Sequence, residues 1–161
     1  MKNADDFYFQ RVIALAEEAF ERGDDPFASV LVDENGTIIM EESSRGNSMN
    51  HPLYHDTMLL ALRAPKEYDR EFLGKCTLYA AMEPCIMCTA ALYWLGVANI
   101  KFIMSESELE ALFPGGLNIH STEFAERSPG NMTSVGPAPE YEKPRRLLKA
   151  CVDRILGKEG V

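Results

Sequence analysis

Two cysteines and one histidine are the residues of this sequence that are best suited to chemistry. Cys85 and Cys88 lie three residues apart, directly after Pro84, in a segment whose pattern predicts a helix. Proline suits a first helical turn, and a three-residue spacing places both sulfur atoms on one side of a helix. Backbone N–H groups at a helix N-terminus favour thiolate over thiol. With His55, the two thiolates would form a three-ligand zinc site whose open corner holds a water of lowered pKa.

The cysteine pair alone leaves two other interpretations open. A Cys-x-x-Cys pair also occurs in redox proteins, and a buried cysteine pair near an unrelated histidine would need no metal. The neighbouring residues favour zinc, because Glu83 and Pro84 precede the pair and Ile86 and Met87 separate its cysteines. A thioredoxin-like site usually has a residue such as proline between its cysteines.

Composition indicates one globular domain over residues 1–161, with the metal site in 51–96 and a C-terminal lobe and helix in 114–161. The chain is 46% hydrophobic and 25% charged, with a formal net charge of −9. This charge argues against a broad nucleic-acid surface, and no apolar run is long enough for a membrane span. The first residues, which include Asp5 and Asp6, lack a signal pattern, so we expect a cytoplasmic protein.

The hydrophobic pattern predicts the elements that must position the three ligands. Helices are predicted over 4–22, 53–64, 84–95, 105–113, near 121–127 and over 147–156, and strands over 27–32, 38–40, 76–81 and 98–104. A hairpin followed by alternating helices and strands predicts an α/β fold, in which helices cover both faces of a mixed sheet. His55 and Cys85 would then begin two helices whose N-termini lie at the same sheet edge. The basic residues before the last helix are expected to be solvated.

These motifs resemble those of the zinc-dependent cytidine deaminase superfamily, most closely the branch of bacterial tRNA adenosine deaminases and guanine deaminases. Residues 26–32 resemble the family's first strand, and residues 77–96 resemble its third strand and cysteine-bearing helix. The resemblance extends from about residue 5 to about residue 135. It implies the three-layer α/β/α cytidine deaminase-like fold, Zn²⁺ bound by the histidine and both cysteines, a small heterocyclic ligand and a homodimer.

The sequence departs from the family pattern around the expected substrate. Where the family has His-Ala-Glu, this chain has His55-Asp56-Thr57. The family glutamate moves protons between the water and the substrate, and the hydroxyl of Thr57 cannot do so because it stays protonated. The family's aspartate before Pro52 is replaced by His51, and its substrate-contacting asparagine falls at Ser44.

Several residues are candidates for the missing catalytic role. His51 could carry a proton because histidine titrates near neutrality, although a solvated loop histidine fits the sequence equally well. Glu83 could hold the local turn or orient the metal ligands. Thr57 occupies the acid–base position and is expected to bond to the preceding helical turn or to the water. Asp56 should point away from the water, since each helical residue turns by about 100°.

Substrate contacts are expected from two aromatic residues and one serine. The sequence predicts them at Phe27, Ser44 and Tyr54. The function that follows is a zinc-dependent hydrolytic deaminase of an aminated nucleobase, nucleoside or related heterocycle, with altered proton transfer. The alternative is a catalytically inactive zinc protein that binds a ligand or a partner subunit. A dithiol redox protein ranks third.

Overall fold

The computed structural model describes residues 4–158 and shows a five-stranded mixed sheet with helices on both faces. The strands are β1 (Ala28–Val32), β2 (Ile38–Ser43), β3 (Thr77–Met82), β4 (Asn99–Met104) and β5 (Thr133–Val135). The helices are α1 (Ala4–Arg22), α2 (Asp56–Arg63), α3 (Arg70–Leu73), α4 (Ile86–Leu95), α5 (Glu106–Leu112), α6 (Ser121–Arg127) and α7 (Glu142–Ile155), with a 3₁₀ turn at Ala64–Lys66.

The central strands are buried on both faces because successive side chains point to opposite sides of the sheet. In β3, Tyr79 and Ala81 belong to one apolar cluster, which includes residues of α1 and α7. Leu78 and Ala80 belong to a second cluster, which includes residues of α2, α4 and α6. The predicted α/β class with helices on both faces is therefore confirmed.

The sheet order β2-β1-β3-β4-β5 determines where the functional residues meet. Strand β1 runs antiparallel to β2 and β3, whereas β3, β4 and β5 are parallel. Met82 pairs with Met104, so β3 and β4 end side by side. The segments that follow these strands begin at one sheet edge, where the backbone N–H of Glu83 donates to the carbonyl of Met104 at 2.7 Å.

Local signals correctly predicted several element ends. Gly23 and Gly96 end α1 and α4 with positive φ angles of 96° and 89°. Ser105 and Glu108 form the predicted capping box at the start of α5. The predicted short helix near 121–127 is observed as α6.

Other boundaries differ from the prediction. Helix α2 begins at Asp56, not at residue 53, because the backbone N–H of Tyr54 closes a turn on the carbonyl of His51. Helix α7 begins at Glu142, five residues earlier than expected, with Pro144 in its first turn. Arg145 is not simply solvated, since it donates to the carbonyl of Ile103 and to the carboxylate of Glu108.

Two short elements, α3 and β5, were not predicted at all. Strand β5 lies in the Gly- and Pro-rich segment and pairs with β4 from Asn99 to Lys101. Over residues 4–158, no helix combines the length and apolar character that crossing a membrane requires.

Candidate metal centre and cavity

The structure brings together the three residues predicted to bind zinc. Nδ1 of His55 lies 3.6 Å from Sγ of Cys85 and 3.7 Å from Sγ of Cys88. All three candidate ligand atoms lie within 4.8 Å of one another. Zinc bonds of about 2.0–2.3 Å in a tetrahedral arrangement place neighbouring ligand atoms about 3.5–3.8 Å apart. The donor set and its spacing therefore fit a zinc ion.

Two helix N-termini position these ligands. His55 is the N-cap of α2 and Cys85 is the N-cap of α4, and both residues have extended backbone. Cys88 lies in the first turn of α4 and is 1% exposed. Pro84 precedes the N-cap, so it lies two residues before the first helical turn, in which the sequence placed it.

The electrostatics of the trio favour binding of a cation. A hydrogen bond from the Cys88 thiol, helped by His55, lowers the pKa of Cys85. The same contact with Cys85, together with burial, raises the pKa of Cys88. The neighbouring Cys85 thiolate also raises the pKa of His55. Binding of a metal ion would release protons from this group, because the metal binds thiolates and a neutral imidazole.

The trio lies in the wall of an inner cavity of about 80 Å³. Its apolar wall contains Phe27, Met82 and Leu109. A second, outer cavity of about 280 Å³ shares three residues with the first, so the two spaces adjoin. The shared residues are Asp25, Ser44 and His55.

The predicted substrate-contacting residues do not all reach the inner cavity. Phe27 and Ser44 line it. Tyr54 does not line either cavity in the described part of the chain; its ring stacks on His51 instead, at a centroid distance of 3.9 Å. His51 lines the outer cavity but not the inner one.

Thr57 and Asp56 both line the inner cavity. The expectation that Asp56 points away from the water assumed helical geometry from His55 onwards, whereas His55, the N-cap, has a non-helical ψ of 149°. The Thr57 hydroxyl donates to Oδ2 of Asp56 at 3.2 Å, and not to the preceding helical turn. Burial raises the pKa of Asp56.

Glu83 is a fully bonded carboxylate at the edge of the cavity, with 1% exposure. It accepts hydrogen bonds from the backbone N–H of Glu106 and from the N–H and hydroxyl of Ser121, at 2.7–2.9 Å. Nδ1 of His120 lies 3.1 Å from its Oε2. Burial raises the pKa of Glu83, but these hydrogen bonds outweigh it and hold the pKa below its usual value. Glu83 therefore joins the cysteine segment to α5 and α6.

Sequence reasoning missed two acidic residues of the cavity, Asp25 and Glu106. Glu106 is the first residue of α5 and is 8% exposed. Burial raises the pKa of Glu106 to about 7, and the charges of Cys85 and Glu83 act in the same direction. The capping box at Ser105 predicted where α5 begins, but no signal in the sequence indicated that its first side chain lines this cavity.

Comparisons with known proteins agree with this site. The family model described as the cytidine and deoxycytidylate deaminase zinc-binding region matches residues 2–104. A probable cytosine deaminase from Schizosaccharomyces pombe is 31% identical over 140 residues, which is 84% of this chain and 85% of that protein. A guanine deaminase from Bacillus subtilis is 34% identical over 88 residues, covering 54% of this chain and 56% of that protein. A tRNA-specific adenosine deaminase from Aquifex aeolicus is 33% identical over 96 residues, covering 59% of this chain and 63% of that protein.

Solved structures share the fold. A guanine deaminase from Nitrosomonas europaea superposes with a TM-score of 0.74 at 21% identity, over 90% of this chain and 82% of that one. A structure from a study of tRNA:A34 deaminases gives a TM-score of 0.70 at 20% identity, over 88% of this chain and 99% of that one. The predicted cytidine deaminase-like fold is therefore confirmed.

Proposed function

Because this chain belongs to the cytidine and deoxycytidylate deaminase zinc-binding family, we propose that it is a zinc-dependent hydrolase that deaminates a nucleobase, a nucleoside or a related heterocycle. The proposal rests chiefly on the grouping of His55, Cys85 and Cys88 in a cavity wall. These residues would hold the zinc ion. When bound, zinc would supply Lewis acidity and lower the pKa of a water molecule.

The protein's own residues fix the ligands and shape the cavity. The hydroxyl of Thr89 donates to the carbonyls of Pro84 and Cys85 at 2.9 Å each, which holds the backbone at the start of α4. The apolar side chains of Phe27 and Leu109 in the inner wall offer contact surface to a flat ring and exclude water from it.

The charges of the two cavities favour a substrate without phosphate. In the part of the chain that the structure describes, no lysine or arginine lines either cavity. Four carboxylates do: Asp25, Asp56, Glu83 and Glu106. Carboxylates accept hydrogen bonds from amino and ring N–H groups and repel phosphates. A free base or a nucleoside fits these walls better than a nucleotide or a nucleic acid.

A second candidate function is a zinc protein without turnover that binds a ligand or a partner subunit. The observation that favours it is Thr57, which stands where the family has its proton-carrying glutamate. Under this alternative, the protein would release no ammonia from any ring, and a Thr57→Glu variant would acquire that activity.

We also propose that two copies associate. Leu53, Leu62 and Trp94 are 51%, 56% and 76% exposed, and the last two lie on α2 and α4, which contact each other. Exposed apolar residues on adjoining helices are typical of a protein interface. A sedimentation measurement should give twice the 18.0 kDa chain mass, and a Trp94→Lys variant should shift the protein towards the monomer.

The proposed reaction can be tested by metal content and ammonia release. Purified protein should contain about one zinc per chain. It should release ammonia from at least one of cytosine, cytidine, guanine, adenine, adenosine or pterin. Cys85→Ala should abolish both zinc binding and release, whereas Cys76→Ala should preserve both, because Cys76 is buried in the core outside the cavity. Zinc-free protein with a reducible Cys85–Cys88 disulfide would contradict the proposal.

A further inference from the structure

Two of the acidic residues in the inner cavity are engaged in bonds that fix their carboxylates. Glu83 accepts three hydrogen bonds and has His120 Nδ1 at 3.1 Å, so it has little remaining capacity for a mobile proton. The Oδ2 atom of Asp56 accepts the hydroxyl of Thr57 at 3.2 Å.

A third acidic residue, Asp25, has a weaker contact. Its Oδ1 atom lies 3.7 Å from the thiol sulfur of Cys151, a residue of α7. Asp25 lines the outer cavity as well as the inner one, and it is only partly buried.

Glu106 differs from the other three. Its carboxylate makes no hydrogen bond within residues 4–158, yet its side chain is 8% exposed and lines the cavity that also contains Cys85 and His55. Its backbone, by contrast, is fixed, because the N–H bonds to Glu83 at 2.9 Å. The result is a buried acidic residue in the wall of the inner cavity, with its backbone held in place by Glu83.

We infer that Glu106 is the catalytic proton carrier of this protein, in the role that the family assigns to the residue replaced here by Thr57. This inference rests on the proposed function. In the reaction, the ionised Glu106 takes a proton from the attacking water while the water oxygen bonds to the amine-bearing carbon, and delivers that proton to the adjacent ring nitrogen. It then transfers the remaining hydroxyl proton to the amine. The C–N bond breaks, ammonia leaves, the ring carbon becomes a carbonyl, and Glu106 is again a carboxylate.

The surroundings of Glu106 match this role. A proton carrier is most effective when it titrates near the working pH. Burial, followed by the negative charges of Cys85 and Glu83, raises the pKa of Glu106 to about 7, while the positive charges of His120 and His55 act in the opposite direction.

The first test compares three substitutions in zinc-loaded protein. Glu106→Gln should lower kcat/KM by about 10²–10⁴-fold, which is the usual contribution of an acid–base residue, with about one zinc per chain retained. Glu126→Gln removes the same charge from an exposed position on α6 and should leave the rate unchanged. A Glu106→Gln variant within about threefold of wild type would overturn the inference, as would an Asp56→Asn variant that alone abolishes turnover while keeping its zinc.

The second test reads the proton directly and does not depend on turnover. In zinc-loaded protein labelled with ¹³C-glutamate, the carboxyl resonance that Glu106→Gln removes should titrate clearly above the ordinary glutamate value, because the residue is buried. A titration near the ordinary glutamate value of about 4.3 would overturn the inference.

If wild-type protein holds zinc but releases no ammonia from any ring of the panel, the proposed function fails and the inference falls with it. If wild type is active and Glu106→Gln is equally active, only the inference fails.

Discussion

The buried carboxylate of Glu83 holds the backbone N–H of Glu106 through a hydrogen bond of 2.9 Å. Glu83 directly follows β3, and Glu106 lies two residues after β4. This one contact therefore connects the segment that carries the cysteines to the helix that carries the proposed proton carrier. Because Glu83 also binds the start of α6, its carboxylate fixes three segments around the cavity.

Replacing Glu83 with glutamine should destabilise the protein. An amide offers one acceptor oxygen in place of two, so its N–H₂ group must face either the N–H donor of Glu106 or that of Ser121. Hydrogen bonds to charged groups contribute about 1.5–3 kcal/mol each, so we expect the free energy of unfolding to fall by about 2–4 kcal/mol. Urea unfolding measures this loss, with Glu21→Gln at an exposed position of α1 as the matched control. A loss below about 1 kcal/mol would show that Glu83 is not the structural link that its contacts indicate.

Replacing His55 with alanine should prevent zinc from stabilising the fold. A ligand that binds only the folded state raises stability in proportion to the logarithm of its concentration over its dissociation constant. Zinc should therefore raise the melting temperature of stripped wild-type protein and leave that of His55→Ala unchanged. His51→Ala, which removes a ring from the outer cavity only, should respond to zinc like wild type. An equal response of all three proteins would exclude His55 as a ligand.

The sequence predicted those features that local patterns determine. Local sequence patterns predicted six of the helices, Gly23 and Gly96 identified two helix ends, and the pairing of Ser105 with Glu108 identified a third boundary. The metal trio was found because Cys85 and Cys88 lie close in sequence within a known type of motif. Apart from His55, which lies 30 positions before Cys85, each of these signals depends on residues a few positions apart.

Features that depend on strand register or on tertiary contacts were not predictable in this way. Glu106 reaches the cavity because β3 and β4 end side by side, and Glu83 is bonded by residues 37 and 38 positions away. The side of α4 that is buried could not be determined, because this helix is apolar on nearly every face, and Trp94 proves to be exposed. Strand β5 has only three residues, too few to show a period.

Replacing Thr57 with valine should have little effect on the reaction. Valine keeps the shape of threonine but removes the hydroxyl that donates to Asp56 at 3.2 Å. Losing one hydrogen-bond donor to a buried carboxylate should cost about 1–3 kcal/mol of stability. Since the hydroxyl cannot carry a proton at neutral pH, kcat/KM should stay within about threefold of wild type. A loss of about 100-fold or more, with zinc retained, would assign Thr57 a direct role in the reaction.

Asp24 should make the stability of the protein depend on pH in the acid range. Its fully buried carboxylate accepts the backbone N–H groups of Asn47 and Ser48, the hydroxyl of Ser48 and Nε of Arg22, at 2.7–3.0 Å. Burial raises the pKa of Asp24, but the bonds to Ser48 and Arg22 outweigh it and hold the pKa below the ordinary 3.8. The folded state thus favours the charged form. The contribution of Asp24 to stability is present above about pH 4. It is lost as the pH falls through the lower pKa that Asp24 has in the folded state.

The Asp24→Asn variant separates this contribution from general acid unfolding. At about pH 6 the variant should be less stable than wild type by about 1.5–3 kcal/mol, because asparagine offers a weaker acceptor to the same donors. The difference in the free energy of unfolding should shrink as the pH is lowered below about 4, because the unfolded wild type then takes up a proton that the folded state binds more weakly. Urea midpoints measured across this range give the difference directly, and Glu126→Gln should show none at any pH. The difference in the free energy of unfolding between wild type and Asp24→Asn could instead stay constant down to about pH 3. Asp24 would then fix the loop of residues 44–55 through its shape and not through its charge.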